Sequence, residues 1–256
     1  MVADTSGSVH FSIGRVIGDS IGIYARNFAS FSFLALLMGL IGLLVSMYNL
    51  SQTPLEASGE MNFSGAGGDL LTSLAALLVS FLTQAAIIYG TFQDLRGSKA
   101  SFTECITRGL ASVVPVIVGS ILLMIGVAIG MLLLIIPGII FWLMWWVYIP
   151  AIVVEGKGIF ESFGRSQQLT SGRRWSIFGL VIIVLVLTVV VGAVVNLVAL
   201  AAVSGSSDPM FFFIIAQYLI NAIVTAFGAV LVAVGYYYLR VEKEGVDVND
   251  IASVFD

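Results

Sequence analysis

Of 256 residues, 59% are hydrophobic and only 10% are charged, giving a mean hydropathy of +1.07. Soluble domains are about 25% charged, so this composition excludes an ordinary water-soluble fold. The net charge of −4 says little in bulk, but a single histidine and a single cysteine exclude a zinc-ligand set, a Cys–His dyad and a Ser-His-Asp triad.

Residues 2–7 are polar, and the stretch after them mixes apolar residues with Arg15, Asp19 and Arg26. It lacks the uninterrupted apolar core of a cleavable signal, so the first span is expected to be a retained anchor. Residues 11–28 set Ile13, Val16, Ile17, Ser20, Ile21, Tyr24 and Phe28 at three- and four-residue spacing. That stripe predicts an amphipathic helix lying in the membrane interface.

A membrane span needs roughly 20 apolar residues to cross about 30 Å of hydrocarbon. Residues 29–50 and 70–92 fit one span each. Residues 101–110 then open with Ser-Phe-Thr-Glu, placing Phe102, Cys105, Ile106 and Gly109 together as a second, shorter interfacial stretch. The block 112–154 is long enough for two spans, 112–136 and 138–154, with Pro137-Gly138 expected as the turn. Pro150 should bend the second of these, because it removes the bond to the Trp146 carbonyl. Residues 158–175 set Ile159, Ser162, Phe163, Ser166 and Thr170 along a third stripe. Spans 176–203 and 210–239 complete the chain.

The expected fold is all-α: a polytopic membrane helix bundle of six spans, with amphipathic interfacial helices on the cytoplasmic side and residues 1–256 as one domain. Interfacial helix plus hairpin suggests a threefold repeat with boundaries near Gly97 and Gly156. All 11 Lys and Arg residues fall on one side of this topology. The opposite loops hold Glu56, Glu60, Asp69 and Asp208 and no basic residue. The positive-inside rule therefore places both termini in the cytoplasm, where the cations would meet anionic headgroups.

No ionisable residue falls well inside a span, which disfavours a proton-driven pump or an ion channel. The polar residues there include Gln84, Asn196, Gln217, Asn221 and Thr225, the last three repeating every four residues. They read either as an interhelical network, each bond worth roughly 0.6–2 kcal/mol, or as the lining of a polar groove. Gly119, Gly126 and Gly130 mark a helix-contact surface on the third span, and Gly228 and Gly235 mark one on the sixth. Trp145, Trp146, Tyr148, Trp175, Tyr236, Tyr237 and Tyr238 suit headgroup level, whereas Trp142 is too deep for it.

No catalytic, cofactor or metal motif is present in the sequence, so no intrinsic catalysis is expected. The closest acid–base grouping is Asp94, Glu155, Glu161 and Glu244 with Arg96, Arg165 and Arg240. Glu155 is expected to pair with Arg173 or Arg174. With Arg165 and Trp175, these residues form the candidate cytoplasmic contact site for lipid or a partner.

Several motifs recur together: Ile136-Pro137-Gly138-Ile139, Pro150-Ala151, Glu155-Gly156, Glu161-Ser162-Phe163, Arg165-Ser166, Leu169-Thr170, Gly172-Arg173 and Trp175, closing with Tyr238-Leu239-Arg240 and Glu244-Gly245. This run resembles a prokaryotic membrane family that includes the membrane domain attached to some glycerophosphoryl diester phosphodiesterases. The resemblance implies a six-span bundle in a prokaryotic inner membrane and no established catalytic residues. In fused members hydrolysis belongs to a separate soluble barrel, so that activity is not carried over.

The expected function is a scaffold, regulatory or lipid-associated membrane module. Its partners would be membrane lipids, including anionic cytoplasmic headgroups, and a protein partner or second copy, with no nucleic acid. The alternative is a transporter of a small polar or amphipathic molecule through a groove lined by Gln84, Asn196, Gln217 and Asn221.

Overall fold

An apolar chain in hydrocarbon must satisfy its backbone donors and acceptors internally, and the α-helix does so within one segment. The computed structural model describes residues 10–52, 66–98, 101–203 and 209–245, and every element among them is an α-helix. In chain order these are α1 Ile13–Arg26, α2 Phe28–Gln52, α3 Ala66–Leu95, α4 Phe102–Leu133, α5 Ile135–Met144, α6 Tyr148–Glu155, α7 Ile159–Thr170, α8 Arg174–Val203 and α9 Pro209–Glu244. Residues 2–7, which entered the signal-sequence argument, and Glu56, Glu60, Lys99 and Asp208, which entered the sidedness argument, lie outside the described residues.

Four of the described segments are long and apolar enough to cross a membrane: Phe102–Leu133, Ile135–Glu155, Arg174–Val198 and Phe213–Glu244. The pair Ile13–Arg26 and Phe28–Leu44, bent by 82°, would make a fifth if it counts as one span. The helices α2 and α3 occupy the first two expected spans.

The amphipathic reading of α1 is modified by its packing. Val16, Ser20 and Ile23 are buried, while Ile21 and Phe28 stay exposed. One face of α1 is therefore covered by protein, with α9 its main neighbour. The second interfacial stretch does not form a helix of its own. Ser101 caps the backbone N–H of Glu104, and the Glu104 carboxylate accepts from the Ser101 N–H. This capping box starts α4, which runs unbroken to Leu133. The expected middle unit thus lacks the separate helix that the outer two possess.

The turn expected between the third and fourth spans is at Leu134, the single residue between α4 and α5, rather than at Pro137-Gly138. Pro137 falls in the first turn of α5, where an N–H would lack an intrahelical partner in any case. Gly138 serves close approach rather than a left-handed backbone: a Cβ there would lie 2.8 Å from the Met131 backbone nitrogen. The rest of the hairpin follows the same logic. Added Cβ atoms on Gly119, Gly126 and Gly130 would fall 3.0, 2.8 and 2.8 Å from Tyr148, Trp145 and Phe141 respectively. The bare face of α4 thus receives the aromatic face of the next span. Gly235 likewise admits Trp146, at 2.6 Å from such a Cβ, whereas nothing lies within 4 Å at Gly228.

These contacts revise the aromatic reading. Trp146, Tyr148, Tyr236 and Tyr238 are buried against the bundle rather than exposed on its outside. Phe141 stacks on Trp145, and Phe163 of α7 packs against both Trp145 and Tyr148.

Candidate functional site

The segment expected as the fourth span is broken between Met144 and Tyr148, one turn ahead of Pro150, which sits in the first turn of α6. A break frees backbone groups that hydrocarbon cannot satisfy. Here α7 supplies the partners. Ser166 Oγ accepts from the Val147 N–H at 3.2 Å and donates to the Met144 carbonyl at 2.9 Å. Thr170 Oγ1 reaches the same carbonyl at 3.2 Å. Ser162, Ser166 and Thr170 are fully buried, so the stripe read as interfacial faces the broken helix.

The far end of α6 carries the main charged assembly. Both α6 and α9 finish with Glu-Gly, and Gly156 and Gly245 take the left-handed conformation (φ 62° and 64°) that terminates each helix. Arg165 of α7 lies between the two glutamates. Its Nε donates to Glu155 Oε1 and Oε2 at 2.8 and 3.0 Å, and its Nη1 pairs with Glu244. Arg240 repeats the bridge: its Nε bonds Glu244 at 2.9 Å and its Nη1 lies 3.7 Å from Glu155. Lys157 Nζ reaches Glu155 at 3.0 Å, and the Tyr236 hydroxyl donates to the same carboxylate. With its side chain only 5% exposed, Glu155 needs these partners, because a buried unpaired charge is costly. Burial works against the charge on Arg165, yet hydrogen bonds to Glu244 and Glu155 outweigh it and raise the guanidinium pKa.

Three further carboxylates, Glu242, Asp94 and Asp19, tie α1 and the α7–α8 junction to this end. Glu242 accepts from Arg173 Nε and Nη2 at 2.7 Å and from the Phe11 backbone N–H at 2.6 Å. Asp94 accepts from Arg26 at 2.6 Å and from Asn27 at 2.7 Å. The Tyr238 hydroxyl donates to Asp19.

The expected pairing of Glu155 with Arg173 or Arg174 is therefore replaced. Glu155 binds Lys157, Arg165 and Arg240, and Arg173 belongs to Glu242. Among the described residues, the buried Arg174 Nε has no hydrogen-bond partner. Beside it Trp175 is 84% exposed, meeting Phe178 edge-on, and Phe160 of α7 is also exposed. Tyr236, Tyr238 and Ser166 stand in the sequence only as interface aromatics and a stripe position, and it is their hydrogen-bonding role that sequence reasoning missed. Their one sequence signal was a hydroxyl or phenol repeated every two or four residues beside helix-end charges.

Of the five polar residues singled out in the spans, the structure joins two. Gln217 Nε2 donates to Asn196 Oδ1 at 2.7 Å, and Asn196 Nδ2 donates to the Gly192 carbonyl at 2.7 Å. Asn221 is exposed, while Gln84 on α3 and Thr225 on α9 are half-buried. Cys105 is buried, its Sγ 3.1 Å from where a Cβ on Gly90 would sit. Among the described residues no three His, Cys, Asp or Glu side chains group as metal ligands.

Apolar helices able to cross a membrane, closed at one end by an internally paired ionic rim, define a helical protein of membrane-compatible class. The chain belongs to the family described as a domain of unknown function, DUF7847, which matches residues 99–241, more than half its length. The matched segment runs from the start of α4 through Arg240 and so contains the α6–α7 assembly. No curated protein and no solved structure matches the chain.

Proposed function

We propose that this protein is a non-catalytic, six-span module of a prokaryotic inner membrane, with its ionic rim and both termini in the cytoplasm. It acts as a lipid-associated scaffold. Its rim would hold α1 and α7 rigidly against the bundle while an aromatic and basic edge meets the headgroups. The observation that carries this reading is Trp175, 84% exposed and adjacent to Arg174, on a rim whose neighbouring cations Arg165, Arg173 and Arg240 are already paired with carboxylates. Tryptophan favours headgroup level because its ring is apolar and its N–H polar. The part-exposed guanidinium of Arg174 beside it matches the chemistry of a lipid phosphate.

The likeness to the phosphodiesterase-associated membrane domain is part of this proposal. It rests on the quoted motifs, of which Glu155-Gly156, Arg165, Arg240 and Glu244-Gly245 form the rim. The transporter reading has less support, because Gln217 is bonded directly to Asn196 and Asn221 is exposed. The test is tryptophan emission from a variant retaining only Trp175, reconstituted with lipids brominated at different depths. Strongest quenching by bromines nearest the headgroup supports the proposal. Emission unaffected by every brominated lipid rejects it.

A further inference from the structure

The turn joining α4 to α5 has an unusual surface for a loop expected to face water. Leu132, Leu133, Leu134, Ile135 and Ile136 are 87, 70, 69, 69 and 71% exposed. From residue 121 to residue 154 the chain has no charged side chain and no Ser, Thr, Asn or Gln. A turn that protrudes into water normally carries polar and turn-forming residues, and this one carries five consecutive large aliphatics.

Helix lengths measured from the ionic rim place the turn in depth. The segment Ile135–Glu155 has 21 residues, about 31 Å at roughly 1.5 Å per residue, starting from Glu155 in the rim. The helix α8 starts at Arg174, next to the rim residue Arg173, and has 30 residues, about 45 Å on the same rise. After Arg174 it holds no charged residue. Leu134 therefore stops well short of the far end of α8, at the level where α8 exposes Val190, Val191 and Val194. A hydrocarbon core about 30 Å thick reaches that level.

Placing this turn in lipid carries a backbone cost of several kcal/mol for each unpaired polar group. The break leaves the carbonyls of Met131, Leu132 and Leu133 and the N–H groups of Ile135 and Ile136 without intrahelical partners; the turn is short enough to limit that cost. Only Leu134 leaves the helical conformation here. Its N–H bonds the Gly130 carbonyl at 3.1 Å, and its carbonyl accepts from Gly138 at 3.5 Å. Pro137 brings no N–H at all into the first turn of α5. The close Gly130–Gly138 approach, with a Cβ on Gly130 only 2.9 Å from Gly138 Cα, lets the chain reverse over that one residue.

We infer that residues 132–136 form an embedded tip whose partner is the acyl-chain region of the far leaflet, so that the α4–α5 hairpin ends inside hydrocarbon instead of emerging as an aqueous loop. This rests on the membrane reading proposed above and turns its third and fourth spans into a re-entrant pair, which leaves four full crossings and keeps both termini on one side. The test uses spin labels on single cysteines in a Cys105→Ser background, in lipid nanodiscs: Leu134→Cys at the tip and Val194→Cys on α8 at matching depth. Collision rates with oxygen, which partitions into lipid, are compared with those of a water-soluble nickel chelate. The embedded tip gives oxygen collisions severalfold above nickel collisions at both positions. Nickel collisions dominating at Leu134 alone would put the tip in water and overturn the inference. Low rates with both reagents at Leu134 would mean that protein covers the tip, and would also overturn it. Nickel dominance at Val194 as well would instead reject the membrane reading itself.

Discussion

Replacing Arg165 with alanine removes a side chain that joins α6, α7 and α9 simultaneously. The substitution deletes two hydrogen bonds to Glu155, at 2.8 and 3.0 Å, and the pair with Glu244. Breaking one side of a buried ion pair costs about 3–5 kcal/mol. Glu155 keeps Lys157, Tyr236 and a distant Arg240, and Glu244 keeps Arg240, so the lower end applies. We expect about 3 kcal/mol, roughly a hundredfold in the unfolding equilibrium. The contrast is Arg26→Ala. Arg26 is 62% exposed where it meets Asp94, and an exposed pair is worth about 0–1 kcal/mol. Arg165→Lys should recover only part of the loss, since an ammonium cannot fork across two carboxylates as a guanidinium does. Equilibrium unfolding in mixed dodecyl-maltoside and dodecyl-sulfate micelles, followed by helical circular dichroism, gives all three values. Equal costs for Arg165→Ala and Arg26→Ala would refute the claim that the buried bridge secures α7.

Other substitutions probe the remaining contacts. Ser166→Ala leaves the Val147 N–H without its side-chain acceptor and should cost about 1–3 kcal/mol in the same titration; a neutral result would mean the broken span is satisfied otherwise. Gly235→Ala drives a Cβ to within 2.6 Å of the buried Trp146 and should destabilise by about 1–3 kcal/mol. Gly228→Ala enters open space and should gain up to about 1 kcal/mol of helix propensity, so the two differ in sign. A double-mutant cycle on Asn196→Ala and Gln217→Ala should return a coupling of roughly 0.6–2 kcal/mol. Zero coupling would mean that their bond does not hold α8 to α9.

Much of the fold could be read from the chain because hydrocarbon restricts the choices. Runs of apolar residues marked where α2, α3, α8 and α9 would lie, whereas Ser-Phe-Thr-Glu, read as the opening of a separate interfacial stretch, is the capping box that starts α4 ten residues before the expected span. The α4–α5 packing was half visible. Gly119, Gly126 and Gly130 announced a contact face, but its filling by Tyr148, Trp145 and Phe141 depends on where the chain reverses. Moving the turn from Pro137 to Leu134 changes which residues oppose each other. The stripe on α7 was recognised as periodic, yet periodicity cannot tell a face that meets lipid from one that meets protein. Ser162, Ser166 and Thr170 proved to line a seam. The charged partners were least legible. Glu155 is closer in sequence to Arg165 than to Arg173, but selecting Arg165 and Arg240 over Arg173 and Arg174 requires knowing that α7 folds back toward α9.

One-sided charge is the claim on which the functional reading depends, and cysteine accessibility in intact cells measures it directly. Single cysteines at Ser6, Ser58 and Ser253 in a Cys105→Ser background would be treated with a membrane-impermeant maleimide before and after permeabilisation of the inner membrane. The proposed topology predicts labelling of Ser58→Cys from outside, with Ser6→Cys and Ser253→Cys protected until the membrane is opened. Labelling of either terminal site in intact cells, with Ser58→Cys protected, would contradict it.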